Sequence, residues 1–199
     1  MEISINAPVS STGTVNDIKI YDDFLDTDTF ISMYRYICDK NKWKYGHSSN
    51  PIGKTKESWY DAISGVCPSD ITPLWSMDLT DDKYFSQFIF EQVKKVTEKD
   101  WDIEFVYANG STYGQHGSLH QDHPEGYTML IYSNIHWDML WGGRTIFIDE
   151  NSEIKYIDPI PNRAIFFPGT ILHCSDHLSR DFRGLRITLA YKLFPKKES

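Results

Sequence analysis

The sequence has little cysteine, no long apolar run and no cluster of basic residues. Its three cysteines, Cys38, Cys67 and Cys174, are an odd number without metal-ligand spacing, so they predict buried or half-buried thiols and not a disulfide framework. No stretch approaches the ~20 apolar residues that cross a bilayer. The first residues lack the basic start and apolar stretch of a secretory signal. We therefore expect a soluble, cytoplasmic protein without a membrane partner.

The charge balance limits the range of partners. The chain has 20 Lys and Arg against 28 Asp and Glu, a formal net charge of −8 at pH 7. Binding to nucleic acid depends on clustered basic side chains that contact phosphates, and here the basic residues are scattered. We expect no nucleic-acid partner.

Two segments in the first half of the chain have the apolar periodicity of amphipathic helices. The first begins at Asp26 or Thr27, either of which can cap a helix, and runs to about Lys42. The second begins at Thr80 or Asp81. Its predicted buried stripe consists of Phe85, Phe88, Ile89, Val93 and Val96. We expect both helices to pack on one side of a sheet.

From Trp101 onward the apolar period changes to two, which is typical of strands. Trp101, Ile103, Phe105, Tyr107 and Asn109 are predicted to share one face of a strand. Further strands are predicted at 127–135, 145–149, 154–158, 163–167, 171–177 and 186–194, and shorter ones at 1–8, 18–21 and 43–45. Two helices followed by many short strands predict a mainly β fold with flanking helices, namely a double-stranded β-helix (jelly roll).

The motif His120-Gln121-Asp122 carries the first chemical signal. Residues i and i+2 of a strand point the same way, so His120 and Asp122 can reach one metal ion while Gln121 points away. Two histidines and one carboxylate form the facial ligand set of non-haem Fe(II) oxygenases, which leaves other metal positions open. The second histidine must come from a strand that is distant in sequence, and both His173 and His177 meet this condition.

Arg186, at the start of the last predicted strand, carries the second signal. A guanidinium is a planar, permanently charged fork that can hold a carboxylate through two hydrogen bonds. The face of Arg186 continues with the small Thr188 and Ala190, which leaves space for a bound ligand. Arg183 is the rival, but its face continues with larger aliphatic residues that would crowd a ligand.

Several short segments between residues 120 and 186 occur in a family-like order. They are His120-Gln121-Asp122, 128–134, Trp137-Asp138, Gly142-Gly143, Phe167-Pro168-Gly169, His173 and Arg186. In this order they resemble the 2-oxoglutarate- and Fe(II)-dependent oxygenases, and among these the prolyl 4-hydroxylase-like branch. The resemblance covers roughly residues 101–194.

The resemblance implies a metal, a co-substrate and a reaction. His120, Asp122 and His173 would bind Fe(II), and His173 ranks above His177 because it follows Phe167-Pro168-Gly169 at the family's spacing. Iron is favoured over zinc because Arg186 and the family-like segments imply a keto-acid co-substrate, 2-oxoglutarate. With O2 this co-substrate would yield succinate and CO2 while the substrate is hydroxylated. Ascorbate is expected as an accessory cofactor.

The resemblance also implies contacts to the co-substrate. Tyr132 would donate a hydrogen bond to the distal carboxylate of 2-oxoglutarate, and the alternative is a core tyrosine with a satisfied hydroxyl. Asn109 and Tyr113, which precede the His-x-Asp motif, are further candidates, together with Thr188.

Substrate contacts are predicted in a loop between two strands, because loops carry specificity on such scaffolds. The candidates are Trp137, Trp141 and Arg144, and the alternative for the tryptophans is an aromatic anchor of the loop. Arg144 departs from the small or acidic residue that the family more often has there. We expect one domain over residues 1–199, with a helical and substrate-loop part at about 1–100 and the jelly-roll core with the metal site at about 101–194.

The expected substrate is a prolyl residue in a peptide or protein. Three alternatives stay open at this point. A free amino acid or other small metabolite could be the substrate instead, the chain could be a non-enzymatic jelly-roll binding module, or it could be a nucleic-acid demethylase, which the acidic balance disfavours.

Overall fold

The computed structural model of the chain describes residues 13–47 and 73–196. The strand predicted within 1–8 and the cysteine Cys67 lie outside these residues. The helices of the described part are all too short or too polar to cross a membrane.

The described residues form ten strands and two main helices, as the mainly β prediction requires. The helices are α1 (Thr27–Asp39) and α2 (Phe90–Thr97), and a π-helical segment, Tyr84–Ile89, leads into α2. The strands are β1 (Lys19–Tyr21), β2 (Lys44–His47), β3 (Leu74–Asp78), β4 (Trp101–Ser111), β5 (Tyr127–Tyr132), β6 (Thr145–Ile148), β7 (Ile154–Ile157), β8 (Ala164–Pro168), β9 (Leu172–Ser175) and β10 (Arg186–Pro195). Strands β5 and β9 end earlier than the predicted 127–135 and 171–177.

The strands form two sheets of unequal size. The larger has seven strands in the order β1-β8-β5-β10-β4-β3-β2, and the smaller has three in the order β7-β6-β9. Every strand pairing is antiparallel. The predicted jelly-roll class is confirmed by this architecture.

The large sheet is the middle layer of the molecule. Buried residues of α1, the π-helical segment and α2 form one apolar core with β4, β5 and β10, so both helices pack on one side of the sheet as predicted. A second apolar core on the other face joins β5 and β8 to the small sheet, where Phe147 and Phe167 meet edge to face at 4.8 Å. The candidate site lies between the two sheets, beside this second core.

Helix α1 begins where the sequence predicts. The carboxylate of Asp26 accepts a hydrogen bond from the backbone N of Thr29 at 2.9 Å, which satisfies one of the free donors of the first turn. The helix buries Phe30, Met33 and Ile37 against the sheet. It ends before the predicted Lys42. Cys38 is exposed and not buried, because it lies on the outer side of the helix, next to the buried stripe.

The buried stripe predicted for the second helix is partly wrong. Phe85, Ile89 and Val93 are buried, but Phe88 is 59% exposed and Phe90 takes a place in the core. The cause is the π-helical segment, in which hydrogen bonds join residue i to i+5 and each turn holds more residues than an α-turn. The wider turn rotates Phe88 away from the sheet.

The single face predicted for β4 is also wrong. A register shift opposite Lys192 and Leu193 leaves Glu104 as an extra residue in β4, which is a β-bulge. Trp101 and Ile103 therefore face the helical core, whereas Tyr107 and Asn109 face the pocket between the sheets. The bulge reverses the alternation within one continuous strand.

Two alanine substitutions test the rotation caused by the π-helical segment. Phe85→Ala should lower the free energy of unfolding by about 3–5 kcal/mol, because it removes a fully buried aromatic side chain. Phe88→Ala should change it by only about 0.5 kcal/mol, because the ring is mostly in solvent. Urea denaturation followed by circular dichroism measures both. Equal losses would show that the second helix has the regular α-helical face predicted from sequence.

Candidate metal centre and adjoining pocket

Backbone hydrogen bonds bring the two parts of the metal motif together. His120 and His173 form an isolated antiparallel bridge, with N to O distances of 3.0 and 2.9 Å. The backbone N of Asp122 donates to the carbonyl of Gly169 at 2.8 Å. A Cβ on Gly169 would lie 2.2 Å from the carbonyl oxygen of His123, so only glycine permits this close approach. The motif is therefore anchored beside β9 and the turn before it.

The imidazoles are oriented for metal binding. The Nδ1 atom of His120 lies 2.8 Å from the carbonyl of Ser118, and that of His173 lies 2.9 Å from the carbonyl of Ile171. Because a carbonyl oxygen can only accept a hydrogen bond, the proton of each neutral ring is on Nδ1, which leaves Nε2 as the lone-pair atom. Each Nε2 lies 3.6 Å from an oxygen of Asp122.

One ion could contact all three side chains. The ligand atoms of His120, Asp122 and His173 lie within 4.8 Å of one another. Two imidazole nitrogens and a carboxylate oxygen suit a non-haem iron that keeps positions open for other ligands. The residues therefore fit the metal that the sequence predicts.

The protonation states of His120, Asp122 and His173 suit metal binding. Burial lowers the pKa of His120, and burial together with the neighbouring His120 lowers that of His173 to about 3. Burial alone would raise the pKa of Asp122, but His173, Lys192 and His120 outweigh it and hold the pKa well below its usual range. At neutral pH the histidines are neutral and the carboxyl is ionised, which are the forms that bind metals.

Lys192 is the site residue that the sequence reasoning missed. Its Nζ donates to Oδ2 of Asp122 and, at 3.1 Å, to Oγ1 of Thr128, which itself donates to Asp122 at 2.5 Å. Burial alone would lower the pKa of Lys192, but Tyr107 and Asp122 outweigh it and raise the pKa above its ordinary value. The sequence did contain a signal for Lys192. Alternate residues of a strand share one face, and Lys192 follows Arg186, Thr188 and Ala190 at this spacing.

A pocket between the sheets adjoins the metal ligands. His120 and His173 line it together with four alternate residues of the central strand β10. These four residues are Arg186, Thr188, Ala190 and Lys192. The predicted candidates Asn109 and Thr188 are both in the lining. The Oδ1 atom of Asn109 is buried and has no hydrogen-bond partner within the described residues, so a polar atom is available to a ligand.

Arg186 is fixed within the pocket, whereas its rival is not there. The Arg186 side chain is buried, and its Nε donates to the carbonyl of Gly143 at 2.8 Å. Gly143 has a φ of +71°, and a Cβ there would lie 3.0 Å from Cδ of Arg186. Glycine therefore permits both the turn and the close contact. Arg183 is exposed and does not line the pocket.

Tyr132 lies beneath Arg186 and not in the lining. Its hydroxyl is 2.6 Å from Oγ1 of Thr145 and donates to the carbonyl of Ile157 at 3.3 Å. The guanidinium of Arg186 lies over its ring, 5.6 Å from the centroid. These contacts correspond to the alternative considered for this residue, a core tyrosine with a satisfied hydroxyl.

The predicted substrate loop is an aromatic anchor in this structure. Trp137, Trp141 and Phe182 contact one another with ring centroids 4.9–5.5 Å apart. The indole N–H of Trp137 donates to the carbonyl of Gly142 at 3.2 Å. Neither tryptophan lines the pocket, but the cluster supports the Gly142-Gly143 turn that holds Arg186.

Three further candidates lie outside the pocket lining. Arg144 forms an ion pair with Asp176 at 3.2 Å. Tyr113 is half exposed, and its hydroxyl accepts a long hydrogen bond from Arg180 at 3.5 Å. His177 is mostly exposed and its ring contacts that of His116 at a tilt of 33°, and it does not belong to the group of side chains that could share a metal.

The lowered histidine pKa values predict how the metal-free protein responds to acid. The unfolded chain takes up protons below about pH 6.5, whereas folded His173 stays neutral down to about pH 3. The free energy of unfolding should therefore fall as the pH drops from 6.5 to 5, by about 1.4 kcal/mol per unit for His173 alone. Chelator-treated protein unfolded in urea at several pH values measures this slope.

Two histidine variants serve as the comparison in the acid experiment. His173→Gln should reduce the slope, because it removes a buried group that cannot take up a proton in the folded state. His136→Gln makes the same substitution at an exposed histidine and controls for the effect of the replacement itself. Equal slopes in the wild type and in His173→Gln would contradict the assignment of a buried, neutral His173.

The chain resembles known proteins in its fold but not in its sequence. No family model matches the chain, and no curated protein matches its sequence. Solved structures do match. An oxidoreductase of the 2OG-Fe(II) oxygenase family from Burkholderia pseudomallei has a TM-score of 0.64 at 8% identity, over 90% of this chain and 86% of its own.

Two prolyl hydroxylases are similar to about the same degree. One from Trichoplax adhaerens, in complex with a hypoxia inducible factor peptide fragment, has a TM-score of 0.63 at 15% identity, over 90% of this chain and 84% of its own. A prolyl-4-hydroxylase from Pseudomonas putida has a TM-score of 0.60 at 12% identity, over 91% of this chain and 94% of its own. The chain therefore has the fold of the 2-oxoglutarate- and Fe(II)-dependent oxygenases.

Proposed function

We propose that the protein is an Fe(II)- and 2-oxoglutarate-dependent dioxygenase that hydroxylates its substrate and releases succinate and CO2. One observation carries the proposal. The ligand atoms of His120, Asp122 and His173 lie within 4.8 Å of one another, and the two histidines line the same pocket as the buried cation Arg186. A binding module needs neither a metal-ligand set nor a buried cation beside it.

The chain supplies position and charge to this reaction. His120 and His173 present Nε2 because their Nδ1 atoms are engaged by backbone carbonyls. Asp122 is ionised and is held through Oδ2 by Thr128 and Lys192. When bound, the iron with O2 and the keto acid supplies the oxidising power that inserts one oxygen atom into a C–H bond.

Arg186 is the residue proposed to hold the distal carboxylate of 2-oxoglutarate. Its Nε donates to the carbonyl of Gly143, which orients the guanidinium. A buried guanidinium is stabilised most strongly by two hydrogen bonds to a carboxylate. Thr188 and Asn109 line the same pocket and are proposed as further contacts. For Tyr132 we propose support of the Arg186 guanidinium from below. Tyr113 stays a sequence prediction, as does ascorbate as an accessory cofactor.

Peptidyl-proline is the proposed substrate. Support comes from the fold neighbours, several of which are described as prolyl hydroxylases and one of which is bound to a peptide fragment. Trp137, Trp141 and Arg144 would contact such a chain outside the pocket. A free amino acid or other small metabolite is the second candidate, because Lys192 adds a second cation to the pocket.

Replacement of each candidate arginine tests the co-substrate assignment. Arg186→Ala should raise the 2-oxoglutarate concentration needed for half-maximal succinate formation by about 30-fold or more, since loss of a buried charged contact costs about 2–5 kcal/mol. Arg183→Ala should have little effect, because its side chain is in solvent. Asp122→Ala is the metal control and should no longer retain one Fe(II) per chain. If Arg183→Ala is the damaging change, the register argument for β10 fails.

A substrate panel tests the hydroxylation itself. Protein supplied with Fe(II), ascorbate and 2-oxoglutarate should add one oxygen atom to a proline within a panel of proline-containing peptides, as detected by mass spectrometry. Asp122→Ala with the same peptides provides the blank. If only free amino acids or metabolites increase succinate formation, the second candidate replaces the first. Iron and 2-oxoglutarate binding without turnover on any compound would indicate a binding module.

A further inference from the structure

Lys192 places a second cation in the pocket, far from the first. It lies six residues after Arg186 on the same face of β10, so their Cα atoms are about 20 Å apart at the ~3.3 Å rise of a strand. Arg186 contacts Gly143 and the ring of Tyr132, whereas Lys192 contacts Asp122. The pocket therefore has one cation at each end, with the metal ligands next to Lys192.

The described residues that line the pocket include no aspartate or glutamate. Asp122 compensates Lys192 in the metal-free protein, through Oδ2. A divalent ion on the same carboxylate takes over part of that negative charge, and Lys192 loses part of its compensation. A largely buried ammonium whose counter-charge is weakened is unfavourable even though Thr128 still accepts from it, so an anion that enters with the metal would be stabilised there.

The formal charges of the loaded site do not cancel, and their sum predicts the charge of a further ligand. A divalent metal, Lys192 and Arg186 carry four positive charges together, and Asp122 removes one. The 2-oxoglutarate dianion removes two more, so the loaded site keeps about one positive charge. If the co-substrate lies between the metal and Arg186, the remaining positive charge is at the Lys192 end of the pocket.

We propose that Lys192 binds a carboxylate of the substrate and so selects for acidic substrates. This inference rests on the proposed function, because it assumes that the metal and 2-oxoglutarate fill the rest of the pocket. Lysine suits the role because its ammonium is a compact point charge on a flexible stem that can turn from Asp122 towards a ligand. The carboxylate could belong to a free amino acid or to an acidic or C-terminal residue of a peptide.

The primary test measures anion binding without turnover. The protein is loaded with Zn(II), which does no redox chemistry, and saturated with 2-oxoglutarate, and both loadings are verified by calorimetry. Fluoroacetate is then titrated and its binding is followed by ¹⁹F NMR, with neutral fluoroacetamide as the uncharged comparison. We expect saturable binding of fluoroacetate and none of fluoroacetamide.

The variants separate Lys192 from other sources of anion binding. Lys192→Met should weaken fluoroacetate binding by about tenfold or more, because it removes the buried charge. Lys192→Arg should retain binding within a few fold. Lys192→Gln keeps a donor for Asp122 without the charge and should behave like Lys192→Met, even if the latter loses zinc. Lys95→Met removes an equal charge from an exposed position and should match the wild type.

Each outcome has one meaning. If fluoroacetate binds the Lys192→Met and Lys192→Gln proteins as tightly as the wild type, the proposal is overturned and Lys192 only positions Asp122. If zinc and 2-oxoglutarate bind but fluoroacetate does not, the proposal is likewise overturned while the proposed function stands. If neither zinc nor 2-oxoglutarate binds, the proposed function fails and this inference fails with it.

Turnover then identifies the source of the carboxylate. The Fe(II) protein is supplied with free amino acids and their amides, and with proline peptides that carry or lack an acidic residue or a free C-terminus. Succinate formation that depends on the free α-carboxylate assigns a small-molecule acid, and dependence on the acidic residue or C-terminus assigns a peptide. Greater turnover with the neutral member of each pair would overturn the proposal.

Discussion

The buried negative charge of Asp122 is the constraint on which the rest of the site depends. An ionised carboxyl removed from water is costly unless opposite charge and hydrogen bonds surround it. Here Thr128 and Lys192 contact Oδ2, and the Nε2 atom of each imidazole lies 3.6 Å from one of the carboxylate oxygens. A divalent ion held by the same three side chains would add further compensation, and the carboxylate is already ionised and fixed without it.

Backbone pairing supplies the precision that this charge needs. The bridge between His120 and His173 and the bond from Asp122 to Gly169 join two segments about fifty residues apart in sequence. β9 is tied in turn to the small sheet, where His173 lies opposite Phe147. The ligands are thus set by rigid strands and turns of both sheets and not by one flexible loop, which suits a site whose geometry must be kept.

The sequence predicted the elements whose local signal and tertiary role agree. The Asp26 cap, the face of Arg186 and the approximate positions of the strands after Trp101 follow from capping chemistry and period-two patterning, and the structure has them. The two wrong predictions of which side chains face the core have a common cause. The bulge at Glu104 and the π-helical segment each insert a residue into a regular repeat, and either insertion changes which side chains face the core. The spacing of apolar residues in the sequence does not show where such an insertion occurs, because its position depends on packing against other elements of the fold.

The sequence was sufficient to predict which side chains lie together at the candidate site, but not the charge that surrounds them. His120, Asp122, His173 and Arg186 could be found because each has a distinctive chemistry and a position in a known order. Lys192 could not be found in the same way, because most lysines are solvated. Only its position on the same face of β10 as Arg186 distinguishes it.

The bulge opposite Lys192 gives that residue a structural context. Bulges twist a strand and re-aim the side chains beside them, and this one occurs where β10 leaves the pocket face. Beyond it β4 turns Ile103 and Trp101 to the helical core, so Phe105 is the last residue of β4 that pairs across from the pocket side of β10. The last residue of β10 that lines the pocket, next to the bulge in β4, is therefore a lysine and not an apolar residue. Arginine at one end is suited to a planar two-bond contact, and lysine at the other is suited to a mobile point-charge contact.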